Sequence, residues 1–438
     1  RWVHDPQSYA AGIPIMVLGF SSRGLAYWTD GEAARIIWAT GDAMLHAVDA
    51  ATGEPVQEFG DDGSVDLMRG IRRARRDPPP INYSVTSPPV VCNDVVIVGS
   101  AVSDQPRFKE SPTGYVRGFD ARTGELRWTF HTIPLPGEVG YDTWQDGSAS
   151  YTGNANVWTM MSADPDLGYA YLPVGNATND HYGGHRPGTN LFANSLVCVE
   201  CATGERVWHF QLVHHDLWDW DNITGPVLFD VTRNGETIKG VGAAGKNCLL
   251  YLWHRETGEP INPMVETLVP TETNVPGEVV YPTQPIPHNA RGVPLMPFCA
   301  TYLDLDDSEL QAQARQMYTP YSTDEHYIVA HGGSSFGSPS FSPRTGLLYV
   351  TGKNAGVSLL VKPLGDSLKL GEGGGHAKNF TEISRIPAYP PTTTLTAYEP
   401  ASGEDVWQQV LPAITFGASS GSLTVSLRVR RTSSGIST

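Results

Sequence analysis

One short phrase recurs along this chain and limits what it can fold into more than any other feature. It stands at Ala47–Glu54 (AVDAATGE), Gly118–Glu125 (GFDARTGE), Cys198–Glu205 (CVECATGE), Leu252–Glu259 (LWHRETGE), Phe341–Gly346 (FSPRTG) and Ala397–Glu404 (AYEPASGE). A Trp follows the glycine by four residues in three copies, as Trp128, Trp208 and Trp407. An acidic or polar side chain ends a strand, Thr or Ser offers a hydroxyl to the turn, Gly takes the positive φ, and an alternating strand follows. Each copy therefore reads as one β-turn between antiparallel strands. Recurrence at a fixed offset from Trp sets the phrase apart from chance Thr-Gly pairs in a glycine-rich chain.

The glycines Gly53, Gly124, Gly204, Gly258, Gly346 and Gly403 are spaced by 71, 80, 54, 88 and 57 residues. A minimal four-stranded blade needs about 40 to 45 residues, so inserted loops are expected. Gly 46 and Pro 34 supply turns, and 11 Trp with 18 Tyr supply a core. The segment 308–317 (SELQAQARQM) is the best candidate for a helix, by its amphipathic spacing. All-β repetition of this kind points to a propeller, a single repeat domain over 1–438.

The net charge of -16 excludes a nucleic-acid or anionic-membrane partner, since phosphate binding needs a basic face. No run of 18 apolar residues predicts a transmembrane helix, and a start at Arg1 without an initiator Met or a signal segment is expected of a mature form or a fragment. Five cysteines, Cys92, Cys198, Cys201, Cys248 and Cys299, are an odd and scattered set, which leaves the redox compartment open. Cys198 and Cys201 on one strand would lie about 10 Å apart on opposite faces, too far to pair with each other.

The phrases resemble the tryptophan-docking repeats of the quinoprotein dehydrogenases, eight-bladed propellers with pyrroloquinoline quinone (PQQ) on the axis. Arg23–Trp28 (RGLAYW), Thr86–Val90 (TSPPV), Trp158 to Asn176, His214–Asp221 (HHDLWDWD) and Gly245-Lys246 look like family landmarks in the family's order. His214–Asp221 and Val265–Gln284 are most similar to the membrane-type glucose, quinate and polyol dehydrogenases. The resemblance implies oxidation of an aldose, polyol or other alcohol by hydride transfer to PQQ, with electrons passed to a quinone or cytochrome, in the periplasm.

The residues make chemical sense for that cofactor, a tricarboxylate ortho-quinone. Arg23 can grip a carboxylate bidentately, Thr86 and Ser87 can donate hydroxyls, and Trp158 can stack on the ring system. Lys246 resembles the family lysine that stabilises charge developing on the quinone oxygens. Asp216 is expected to act as general base and to touch the metal, because a carboxylate beside a cation stays ionised. The resemblance further implies Ca²⁺ or Mg²⁺ held by Asn176 and an acidic residue upstream, Asp104 with Glu110 in reserve. If 216–221 is extended, Trp218 and Trp220 face one way and Asp219 and Asp221 the other.

Some features depart from the family. The vicinal disulfide of some alcohol-oxidising members is missing, and Gly332–Gly337 (GGSSFG) replaces the usual Gly-Gly-Ala-Asn-Trp-Gly, placing Ser335 where an amide contacts the cofactor. The chain reads as about six blades of eight, incomplete at both ends, with an atypical tail over 419–438. Pro339 and Pro343 follow Gly333–Gly337 where a nucleophile elbow requires a helix, which excludes serine-hydrolase chemistry. A non-enzymatic propeller scaffold is the rival class, and it has no use for Arg23, Asn176, Asp216 and Lys246 together.

Overall fold

The recurring phrase folds by one local recipe. In the first copy the amide of Gly53 donates to the Asp49 carbonyl (2.8 Å), and the Asp49 amide donates to the Glu54 carbonyl (2.9 Å). The Asp49 carboxylate caps the Ala51 and Thr52 amides, and Thr52 Oγ1 accepts from Glu54 N. Equivalent bonds recur at Gly124, Gly204, Gly258 and Gly403. The glycines sit at φ of 72° to 78°, a region that a side chain disfavours, which is why the position is Gly each time.

The computed structural model describes residues 1–14, 20–76, 81–102, 110–222, 224–233, 235–293, 297–334, 337–363, 379–387 and 389–412. Strands dominate. Four-stranded antiparallel meanders run over Ala26–Thr29, Ala34–Ala39, Met44–Asp49 and Ser64–Asp66, then over Val90–Cys92, Val95–Val98, Val116–Asp120 and Leu126–Phe130. A third comprises Ser162–Asp164, Tyr169–Val174, Ser195–Glu200 and Arg206–Gln211. The fourth sheet has three strands, Val227–Arg233, Glu236–Ala244 and Leu250–His254. The last meander holds Ser340–Ser342, Leu347–Asn354, Thr392–Glu399 and Glu404–Leu411. A three-stranded sheet of Tyr327–Ala330, Gly356–Pro363 and Asn379–Arg385 is an insertion without a phrase of its own.

The phrases at Gly346 and Gly403 both belong to the last meander, one between its first two strands and one between its last two. Six phrases therefore mark five sheets among the described residues, whereas the reading of about six blades counted those two copies separately. The only described α-helix, Ser308–Gln313, starts where expected, with Asp307 capping Glu309 and Leu310, and stops four residues short of Met317.

The sheets pack face to face in chain order, and each interface is an apolar core. Ile37, Leu45, Val96 and Phe119 join the first to the second. Val95, Ile97, Leu172 and Val197 join the second to the third. Leu196, Tyr171, Val241 and Trp253 continue to the fourth, and Phe229, Leu250, Leu348 and Tyr398 reach the last. Inner strands are covered on both faces, so Val95–Val98 is buried at every residue instead of alternating.

Tryptophan docking reinforces this stack. The Trp128 ring lies on Gly204 and its Nε1 donates to the Cys201 carbonyl at 2.8 Å; Trp208 lies on Gly258 and donates to the Arg255 carbonyl at 3.1 Å. Trp2 does the same at Gly53, donating to the Ala50 carbonyl. The acceptor is three residues before the glycine each time. Trp407, by contrast, is 41% exposed on the outermost strand of the last sheet.

Four of the five cysteines form two disulfides, Cys92–Cys201 and Cys248–Cys299, while Cys198 is buried and free. Cys198 and Cys201 do not pair with each other, as strand geometry requires. The partners lie 109 and 51 residues away, so scattered spacing concealed a pairing that only the packing of neighbouring sheets creates. Among the described residues no helix is long and apolar enough to cross a membrane.

Candidate functional site

Three expected site residues, Arg23, Thr86 and Lys246, meet around a fourth, Trp158. Arg23, just before the first strand, donates its backbone amide to the Thr86 carbonyl (3.1 Å) and its Nη1 to the Trp158 carbonyl (3.1 Å). Its guanidinium lies 4.8 Å from the Trp158 ring centre. Thr86 Oγ1 donates to the same Trp158 carbonyl at 3.0 Å. Lys246 Nζ reaches the same ring at 5.8 Å. Burial lowers the Arg23 pKa, because the site solvates its charge incompletely.

Ser87 is buried beside Thr86, and its Oγ has no hydrogen-bond partner; Asn156 Oδ1 and Thr159 Oγ1, flanking Trp158, are likewise unpartnered. Unsatisfied buried polar atoms beside an aromatic face and two cations are what a polar, flat ligand would complete.

Opposite stands the loop His214–Asn222. Lys246 Nζ bonds Asp219 Oδ1 at 2.6 Å and Asp221 Oδ2 at 2.8 Å. Burial alone would lower the Lys246 pKa, but the two carboxylates override it and hold it well above the ordinary value. Lys246 is therefore a firmly charged group, as a residue that stabilises developing anion must be. Trp218 and Trp220 stack at 5.0 Å while Asp219 and Asp221 both turn to Lys246. The alternation anticipated for an extended segment is present, although the backbone is an irregular loop with positive φ at His215 and Asp219.

Asp216 occupies a different place. It is 2% exposed, and its oxygens accept from Trp218 N (2.9 Å), Trp220 N (2.8 Å) and Asn194 Nδ2 (2.9 Å). Its carbonyl accepts from the fully buried Arg186. Burial pushes its pKa up to about 6. Both carboxylate oxygens thus hold the loop in shape, and the carboxylates brought to the lysine and the indole are Asp219 and Asp221. Both histidines are structural: His215 bonds Asn190 and Glu278, and His214 bonds Gln211 and Glu266.

Asn176 lies next to this cluster. Its amide N–H donates to Asp221 Oδ1 (2.5 Å), and its side-chain oxygen accepts from Ala177 N (2.7 Å). Gly175 explains itself here, because a Cβ on it would come within 2.7 Å of the Asp221 carboxylate. Asp219, Asp221 and the Asn176 amide offer the hard oxygen donors that suit Ca²⁺ or Mg²⁺. Among the described residues no group of three or more His, Cys, Asp or Glu forms a metal cluster, so an amide oxygen would have to take part. Asp104 and Ser335 lie outside the described residues, and Glu110 is exposed.

The expected cofactor is a flat tricarboxylate, and the donor set fits it: an indole, two cations at 4.8 and 5.8 Å from its ring centre, and unpartnered buried hydroxyls on Ser87 and Thr159, the residues next to Thr86 and Trp158. Sequence reasoning missed the roles of Asp219, Asp221, Asn194 and Arg186; the alternation of Asp and Trp over 218–221 was the one signal pointing to the first two. It also missed His181 and His331, which burial and the neighbouring lysines keep neutral, at about 4 and about 3. His331 walls a cleft with Trp218, Trp220, Tyr318, Tyr321 and Arg315.

Comparison with known proteins identifies relatives of the chain. A family model described as PQQ: Glucose/ethanol/alcohol dehydrogenase, beta-propeller domain, matches residues 1–384. The glycerol dehydrogenase large subunit of Gluconobacter oxydans (strain 621H) is 31% identical over 376 residues, 79% of this chain and 48% of that protein. The quinate/shikimate dehydrogenase (quinone) of Acinetobacter baylyi (strain ATCC 33305 / BD413 / ADP1) is 27% identical over 421 residues, 87% of this chain and 50% of that one. In fold, the quinohemoprotein alcohol dehydrogenase from Comamonas testosteroni superposes with a TM-score of 0.65 at 20% identity, covering 95% of this chain and 57% of that one. The chain spans about half the length of these curated relatives.

Proposed function

The chain belongs to the PQQ-dependent glucose, ethanol and alcohol dehydrogenase family that shares this β-propeller domain, and on that premise we propose that it oxidises an aldose, polyol or other alcohol. The observation that carries the reading is the convergence of Arg23, Thr86 and Lys246 on Trp158, two at its ring and two at its carbonyl, with Lys246 also paired to Asp219 and Asp221. When bound, PQQ supplies an electrophilic ortho-quinone that accepts hydride.

Trp158 would provide the stacking face, Arg23 and the Ser87 hydroxyl would anchor carboxylates, Thr86 Oγ1 holds the Trp158 carbonyl in place, and Lys246 would hold positive charge at the reacting edge. Asp219 takes the alcohol proton as hydride leaves the adjacent carbon. It replaces Asp216 in that role, and Asp216 is also withdrawn as a metal ligand, since its oxygens already accept three N–H donors. Asn176 and Asp221 are the proposed metal ligands, with Asp104 completing the set. An eight-bladed ring is the finer architectural proposal, supported by the half-exposed Trp407, which has the docking position without a docked phrase among the described residues. Transfer of electrons to a quinone or cytochrome and a periplasmic location complete the reading; two disulfides support an oxidising compartment.

The test is reconstitution of the purified chain with PQQ and Ca²⁺, followed by quinone absorbance after gel filtration and dye-coupled oxidation of glucose, glycerol and quinate. Retained quinone absorbance that disappears in Arg23→Ala supports the reading. No retained quinone at millimolar Ca²⁺ overturns it for this chain.

A further inference from the structure

Lys246 sits in a short connection, Gly245–Leu249, between the strands Glu236–Ala244 and Leu250–His254. Its backbone amide donates to the Asp221 carbonyl (3.1 Å), which ties one side of the turn to the carboxylate loop. The next turn in space presses on the other side: a Cβ on Gly333 would lie 2.3 Å from Lys246 Cα. Two residues on, Cys248 takes a φ of 66°, a conformation that a non-glycine residue adopts only when its surroundings impose it.

What imposes it is the Cys248–Cys299 disulfide together with the bonds around it. Phe298 N donates to the Cys248 carbonyl (3.0 Å), Leu249 bridges Pro297, and Ala300 N donates to Asn354 Oδ1 (2.7 Å). Cys299 in turn packs on Gly352 so closely that a Cβ there would come within 2.7 Å of its own Cβ. The lysine turn is thereby fastened to the last sheet. Cys92–Cys201 is the internal contrast. It joins the second sheet to the docking phrase of the third, where the Cys201 carbonyl receives Trp128.

We propose that the Cys248–Cys299 disulfide is a positioning element of the site, holding the Lys246 turn so that its ammonium stays between Asp219 and Asp221, whereas Cys92–Cys201 serves the frame alone. The functional reading enters only through the role given to Lys246; the position of the lysine is a property of the chain without cofactor. Acetylation by acetic anhydride, quantified peptide by peptide by mass spectrometry on the cofactor-free chain, reports that position, with the exposed Lys239 as reference.

In Cys248→Ser/Cys299→Ser, Lys246 should acetylate about tenfold faster relative to Lys239, because local protection falls with local opening. In Cys92→Ser/Cys201→Ser the ratio should stay as in wild type while the thermal midpoint falls. Titration of PQQ with Ca²⁺, followed by Trp fluorescence, should show a weaker Kd for the first pair only. Should the serine pair not fold, Cys248→Ala/Cys299→Val restores apolar volume without the tether and is read in the same way. An unchanged Lys246 ratio in the folded variant, or an equal rise in both pairs, overturns the proposal. A wild-type chain that protects Lys246 yet binds no PQQ would instead count against the functional reading and leave the positioning role standing.

Discussion

Two bends flank the last strand of the third sheet, at Gly204 and at Asp216, twelve residues on, and are built on opposite principles. The turn at Gly204 closes on Glu200, Thr203 and Glu205, all within five residues. The loop at Asp216 is held by Asn194, Arg186 and, through Trp218 Nε1, by the Thr319 carbonyl 101 residues away. The first bend needs only its own letters to form and receives Trp128 as a ready surface. The second exists only when the neighbouring segments are already in place, and it is the one that aims Asp219 and Asp221 at Lys246. Local turns thus make the frame, and long-range bonds make the chemistry.

Predictions follow that contrast. Asp219→Asn should lower turnover of the reconstituted chain by about a hundred- to ten-thousand-fold with its thermal midpoint nearly unchanged; dye-coupled turnover alongside calorimetry checks both halves. Gly258→Val should do the reverse, costing about 3 kcal/mol or more from a strained φ and a clash with Trp208. Urea unfolding would show it, and wild-type stability would mean that docking does not carry the frame.

Asp216→Ala leaves Trp218 N and Trp220 N without their side-chain acceptor and reduces Asn194 Nδ2 to its bond with the Trp220 carbonyl, so a loss of about 1 to 3 kcal/mol is expected. Turnover would suffer only as far as the loop loosens, and a thousandfold loss with full stability would return Asp216 to the general-base role. Trp128→Phe keeps the ring on Gly204 and removes the bond to the Cys201 carbonyl, for about 1 kcal/mol by the same measurement.

The smallest effect concerns pH. His46, stacked on Trp38 in the first sheet and bonded to Thr40 and Ser64, is held by burial at about 4, below its ordinary 6.5. A lowered folded pKa means stability that is fully present above pH 6.5 and lost as pH falls through 4. His46→Gln should flatten the thermal midpoint across that window without moving the pH profile of PQQ binding, since His46 belongs to the frame.

The legible part of the site was the part carried by residue type. Arg23, Thr86, Trp158 and Lys246 were recognisable because cations, a hydroxyl and an indole in the family's order have few other reasons to coexist. Asp219 was visible in the same stretch as Asp216 and was passed over, because periodicity describes a strand and this segment is a loop whose two positive φ angles redirect the carboxylates. The cysteine pairing stayed open for a related reason: strand geometry rightly forbade Cys198–Cys201, yet nothing along the chain says which distant turn will face Cys201.

By itself, then, the sequence determined the class of the fold and the kind of chemistry. Hairpin turns are closed by bonds within five residues, so their letters suffice, and the apolar strands between them have no other way to be covered than by stacking. The tertiary structure alone decided which carboxylates reach Lys246, how the two disulfides pair and that two phrases share one sheet. These depend on contacts between residues tens to a hundred positions apart, and chain separation carries no information about such contacts until the sheets have packed.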